Sequence, residues 1–144
     1  DQVETRDNLR VVSDIGSRLP IYCTSQGKVF LAHMSRTSAE ALLRAQHMTQ
    51  FTPHTITDLT ALMQEIDLCR TDGYAIENGE YKIGLRSISA PVYTVEGKAR
   101  YTVGVIGMFR STRSDEFLAA VEQVCATASM ISTALGYRKT EELL

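Results

Sequence analysis

Thr24, Ser25, Gln26, Gly27 and Lys28 directly follow the turn-forming run Gly16-Ser17-Arg18-Leu19-Pro20 and the short link Ile21-Tyr22-Cys23. Their chemistry is that of a helix start. Thr and Ser are strong N-cap residues, because the side-chain oxygen accepts from a first-turn amide that has no partner within the helix. The amides left over point outward with the positive end of the helix dipole, so such a start takes an anion, and a carboxylate fits it. The same residues serve equally well as an ordinary cap. A phosphate loop is excluded: it needs a Gly five residues before the Gly-Lys pair and a Ser or Thr after it, and Tyr22 and Val29 stand there.

Glu77 and Ser87 are further polar residues, in the middle of the chain. A carboxylate would repel a carboxylate ligand, so Glu77 is better suited to accept a hydrogen bond from a ligand hydroxyl or amide; otherwise it is a solvated loop charge. Ser87 and Leu85 are two residues apart and share a face if the segment is a strand. Cys23 could pair with His33, His47 or His54 as a nucleophile and base, but nothing local activates it, and a small buried cysteine before a helix is the plainer reading. Cys23, Cys69 and Cys125 have no C-x-x-C spacing, and the histidines form no local metal motif. No metal, cofactor or catalysis is expected.

The elements that must position these residues follow from periodicity. A β-prone segment covers residues 8–14, and a helix follows over 24–34. Thr37-Ser38-Ala39-Glu40 has capping-box spacing and opens a short second helix. Residues 46–57 read as loop. Thr57 or Asp58 then caps a helix whose Leu59, Leu62, Met63, Ile66 and Cys69 recur at helical spacing up to Gly73. A short strand over 74–77 leads into a polar link over 77–84. Strands over 85–93 and 100–109 flank the turn Val95-Glu96-Gly97-Lys98 and should pair as a hairpin, with Pro91 marking a bulge or edge position. Ser114 caps a last helix with the stripe Phe117, Leu118, Val121, Val124, Ala128, Ile131 and Leu135, stopped at Gly136. Adjacent strands and grouped helices predict an α+β fold around an antiparallel sheet.

The 144 residues, 44% hydrophobic, suit one domain with a real core over 1–144. A formal net charge of −2 gives no basic field for nucleic acid. No apolar run is read as approaching the roughly 18 residues of a membrane span, and Asp1 opens no signal peptide, so the expectation is a soluble chain with no membrane partner. Unpaired cysteines fit a reducing cytoplasm.

Three stretches together carry a family resemblance. The run from Gly16 through Arg18-Leu19-Pro20 to the Gly27-Lys28 helix start is similar to the G-x-R-L-P motif and small-residue helix start of the effector-binding domain of IclR-family bacterial transcriptional regulators. Gly73-Tyr74, Glu77 and the later Ile88-Ser89-Ala90-Pro91-Val92-Tyr93 resemble that family's R-x-x-G-Y, E and I-A-A/V-P-V-F pattern, and Leu135-Gly136-Tyr137 closes the likeness. It runs from about residue 9 to 137.

The resemblance implies a GAF/profilin-like sheet flanked by helices, a small organic acid effector, and a homodimer or homotetramer. Nothing here resembles the family's helix-turn-helix domain, so DNA contact is expected only through an N-terminal domain absent from this chain. A stand-alone GAF-like binding or oligomerisation module is the alternative. The resemblance places the effector against Ser25 and Gln26, with Glu77 facing the pocket, Leu85 and Ser87 on the lining strand, and Val11 and Leu19 on an apolar side. Two positions that are commonly serines in the family are Gly104 and Ile106 here; losing both hydroxyls while Gly104 opens space would favour a larger or less polar ligand.

Overall fold

The computed structural model describes residues 1–3, 11 and 14–139. Of the β-prone segment 8–14, only Val11 and Asp14 are among them; the rest of that expectation lies outside the described residues. The elements run α1 (Ser25–Ala32), α2 (Arg36–Arg44), α3 (Leu59–Asp72), β1 (Ala75–Asn78), β2 (Arg86–Tyr93), β3 (Ala99–Gly107) and α4 (Asp115–Ala134). This is the α+β architecture that the adjacent strands predict.

Each helix begins where a side chain can satisfy a first-turn amide. Thr24 accepts from the Gly27 amide at 3.3 Å, Asp58 from Ala61 at 2.8 Å and Ser114 from Phe117 at 3.3 Å. The second helix corrects the expectation at Thr37. Its cap is Ser35, whose hydroxyl accepts from the Ser38 amide at 3.1 Å, so the helix starts a full residue before Thr37. Gly73 ends α3 with φ +80°, a left-handed conformation that costs a glycine little.

The three strands are antiparallel in the order β1-β2-β3. The register pairs Glu77 with Ser87, Ser87 with Ile106 and Ser89 with Gly104. Alternation then sends the two faces of β2 to different helices. Ile88, Ala90 and Val92 pack with Phe117, Val121, Val124 and Ala128 of α4. Ser87 and Ser89 face the other way, toward α1. A second core joins Tyr22, Val29 and Leu31 to Leu43 of α2 and to Leu62, Met63 and Ile66 of α3.

Three local expectations change. Leu85 does not belong to β2: it sits in the preceding turn, where its amide donates to Lys82 O at 3.2 Å, so it shares no strand face with Ser87. Glu77 lies in the short strand as expected, but β1 runs on to Asn78 and buries the carboxylate, so Glu77 is neither the start of the polar link nor a solvated loop charge. Pro91 lies in the central strand, which tolerates it because β1 pairs no further along β2 than Ser89; the register shift comes one step later, between Val92 and Tyr93.

Helix α4 also corrects the reading of apolar runs. By length and composition alone it is apolar enough to cross a membrane. In the fold its Phe117, Val121, Val124 and Ala128 row packs on the sheet, while most of the helix surface remains exposed, the geometry of a helix with one buried face.

Candidate functional site

Serines from two elements converge where α1 begins. The close approach depends on Gly27, at which a Cβ would lie only 2.0 Å from Ile21 O. The loop 16–23 crosses the helix there and delivers Thr24 and Ser25 against the sheet.

The Ser25 hydroxyl lies 2.8 Å from the Ser89 hydroxyl and 2.8 Å from that of Ser87. Ser87 is also 3.2 Å from Glu77 Oε2, and Ser25 can donate to Gln26 Oε1 at 3.4 Å. All three serines are buried. Each hydroxyl has one proton. Ser87 is the donor in both of its contacts, so its proton is shared between Ser25 and the Glu77 carboxylate, while the Ser25–Ser89 bond can run in either direction.

The other Glu77 oxygen accepts from the amides of Glu80 at 2.6 Å and Tyr81 at 3.2 Å. Its charge is therefore held by fixed donors. At the same place an α-helix leaves the Ser25 and Gln26 amides without intrahelical acceptors. Hydroxyls that can rotate, outward amides and a held carboxylate together suit a ligand with both an anionic and a hydrogen-donating group.

Ser25, Gln26, Glu77 and Ser87 thus come together as one constellation. Gly104 and Ile106 stand opposite its members on β3. Val11 is half-buried, Leu19 is 46% exposed in the loop before α1, and Leu85 lies in its turn; no described contact joins these three to the hydroxyls.

Gly104 does not open space. A Cβ there would lie 2.4 Å from Ser89 Oγ and 2.5 Å from the Ile88 carbonyl oxygen. The missing side chain lets β3 approach β2, and Ser89 supplies a hydroxyl in the volume a residue 104 side chain would need. A larger-ligand preference therefore gains nothing from Gly104. Gly104→Ser should destabilise the fold by about 1–3 kcal/mol, the usual penalty for overpacking, and Ser89→Ala should not rescue it fully because the Ile88 carbonyl remains in the way. Chemical denaturation of the single and double variants measures both effects.

Sequence reading missed Ser89, Lys28 and Glu80. Lys28 is 1% exposed; its Nζ donates to Glu80 Oε1 at 2.7 Å and to Ile76 O at 3.1 Å. Glu80 Oε1 in turn lies 3.4 Å from the Asn78 amide. Ile76 O and Asn78 N belong to the edge of β1 opposite β2, so this ion pair caps an edge that would otherwise present unpaired backbone groups. Burial raises the Glu80 carboxyl above its ordinary range, although Lys28 pulls the other way. Burial, aided by the nearby Glu80 and Glu77 carboxylates, pushes the Cys23 thiol up to about 12. A thiol held protonated is a poor nucleophile.

The family model describing the C-terminal region of IclR bacterial transcriptional regulators matches residues 1–133. The chain belongs to this family. It is 29% identical over 137 residues to the HTH-type transcriptional repressor AllR of Escherichia coli (strain K12), covering 95% of this chain and 51% of AllR. It thus spans about half the length of the curated relatives it matches. A transcriptional regulator from Rhodococcus sp. RHA1 superimposes with a TM-score of 0.86 at 30% identity, covering 92% of this chain and 55% of that one. A double mutant of the inducer-binding domain of the Acinetobacter transcription factor PobR, solved in complex with 3-hydroxybenzoic acid, superimposes with a TM-score of 0.72 at 25% identity, covering 83% and 69%. The relatives are transcriptional regulators, and the IclR fold carries the GAF-like sheet that the resemblance implied.

Proposed function

We propose that residues 1–144 form one effector-sensing domain of an IclR-type regulator and bind a small organic acid at the start of α1. The observation that carries this reading is the buried cluster of Ser25, Ser87 and Ser89 against Glu77. The ligand carboxylate would meet the free amides of α1 and a rotated serine hydroxyl, while a ligand hydroxyl would donate to Glu77. The PobR ligand, 3-hydroxybenzoic acid, has both groups. Ile106, partly exposed across from Ser87, offers an apolar surface for the ligand body.

The effector alters DNA affinity only insofar as it binds one arrangement of the full-length oligomer more tightly than another. With a net charge of −2, this chain would leave DNA contact to another part of the regulator, in a bacterial cytoplasm. Self-association into a homodimer or homotetramer draws support from the outer side of α4, where Leu118, Ile131, Leu135 and a 72% exposed Met130 stand in solvent. Sedimentation should show at least a dimer; monomer at every concentration would remove that part.

Thermal shift and calorimetry with aliphatic, sugar-derived and hydroxyaromatic acids test the site. A ligand at about 100 times its dissociation constant should add roughly 2.7 kcal/mol of stability. Ser87→Ala and Ser89→Ala should each weaken it by about 0.5–1.5 kcal/mol, or up to about 3 kcal/mol for a hydroxyl bonded to the carboxylate. Acids that bind with unchanged affinity to both folded variants would move the site elsewhere.

A further inference from the structure

We propose that the cavity beside the free edge of β1 is a second small-molecule site, taking a primary ammonium or guanidinium group on a short apolar body. The cavity has a volume of about 390 Å3, and its lining includes Glu65, Glu80, His54, Asn78, Ile56 and Ile76. That size falls within the usual range for small-ligand pockets, roughly 300–1,000 Å3.

Its charge is unbalanced. Lys28 Nζ already donates to Glu80 Oε1 and Ile76 O, and Glu65 Oε2 lies 3.8 Å from the same nitrogen. One cation therefore faces two carboxylates. Glu80 is only 5% exposed, and its Oε2 is buried without a hydrogen-bond partner among the described residues. A buried acceptor of this kind ordinarily has a donor, and here the residue that carries it lines a cavity. A ligand cation would donate to the half-exposed Glu65 and, once the Glu80 side chain turns its enclosed Oε2 toward the cavity, to Glu80 as well, bringing the net charge of the group to zero. Ile56 and Ile76 supply apolar wall for an alkyl stem.

Other occupants fit less well. Two carboxylates repel an organic anion. No group of three His, Cys, Asp or Glu among the described residues could hold a metal, and the Lys28 ammonium lies where a further metal ligand would be needed. The site opens beside β1 and α3 rather than at the Ser25, Ser87 and Ser89 cluster, and it does not depend on the acid-binding reading.

The test titrates the intact chain with butane-1,4-diammonium and n-butylammonium chlorides at constant ionic strength. Amide and ring resonances of Asn78, Gly79 and His54 are followed, with sodium chloride and sodium acetate as controls. The expected result is a saturable shift of these resonances by the ammonium compounds alone. Glu65→Gln, which alters a half-exposed residue and spares the Lys28–Glu80 pair, should weaken binding by about tenfold, the loss of one charge-assisted hydrogen bond. A linear response shared with sodium chloride, saturation by acetate, or an unchanged affinity in folded Glu65→Gln would each overturn the proposal. Failure here leaves acid binding at the serine cluster unaffected, since the acids are titrated separately.

Discussion

Gly27→Ala is expected to destabilise the protein by about 3 kcal/mol or more, although helix propensity alone predicts a gain of about 0.8–1.0 kcal/mol. Gly27 lies inside α1, where alanine normally wins by losing less backbone entropy. Here a Cβ would sit 2.0 Å from Ile21 O and 2.6 Å from Ile21 C and Cα. All three are backbone atoms, so no rotamer change relieves the overlap. Moving Ile21 drags Tyr22 and Cys23, both buried in the core shared with α3. The displacement also shifts Thr24 and Ser25, and with them the hydroxyl contacts at 2.8 Å to Ser87 and Ser89. For a domain of this size each kcal/mol is worth about 2–4 °C in Tm, so the melting temperature should fall by roughly 6–12 °C. Circular dichroism melts of the variant measure it. A neutral or stabilising Ala would mean that the loop does not cross α1 at this distance.

The contrast between Gly27 and the stripe of α4 explains how much was legible in the sequence. Phe117, Val121, Val124 and Ala128 announce one buried helix face by spacing alone, and the Asp58 cap and Gly73 stop are chemistry confined to a few neighbouring residues. The Ser114 cap is local in the same sense. The strand holding Glu77 was legible but the burial of its carboxylate was not: β1 is four residues long, and a charged residue on its buried face gives no apolar alternation to detect. The convergence of Ser25, Glu77 and Ser87 came from family likeness, and the structure puts them within hydrogen-bonding reach. Ser89 was accessible by period two from Ser87. Gly104 was not, because whether a glycine opens room or lets two strands close together depends on what stands across from it. Lys28 is the extreme case. Its partner Glu80 is 52 positions away in what reads as a polar link, and a lysine near a helix start ordinarily lies in water.

Lys28→Met should cost about 3–5 kcal/mol at neutral pH, the typical penalty for removing one member of a buried ion pair. Methionine fills much of the lysine volume, so the loss is electrostatic rather than a cavity. It strands the Glu80 carboxylate and leaves Ile76 O on the β1 edge without its donor. Burial is the largest influence on Glu80 and raises its folded pKa, with the charge and hydrogen bond of Lys28 acting as the main opposing forces. Removing Lys28 lifts that value further. A carboxyl with a folded pKa above its unfolded value, about 4.3, binds more protons in the folded state, so its stabilisation is full below the unfolded value and is lost as pH rises through the folded one. The wild type should show a shallow loss of this kind and Lys28→Met a steeper one over a wider window, with about 1.4 kcal/mol more lost for every further tenfold fall in the acidity of the folded carboxyl. The variant's deficit should therefore be smaller near pH 4.5 than at pH 8. Lys28→Met with Glu80→Gln removes the titrating group and should flatten the difference while recovering part of the stability, since a neutral amide is less costly to bury than an unpaired charge. Urea unfolding of the three proteins at both pH values decides the matter. An equal deficit for Lys28→Met at pH 4.5 and pH 8 would show that the stranded Glu80 charge is not what the lysine holds in place.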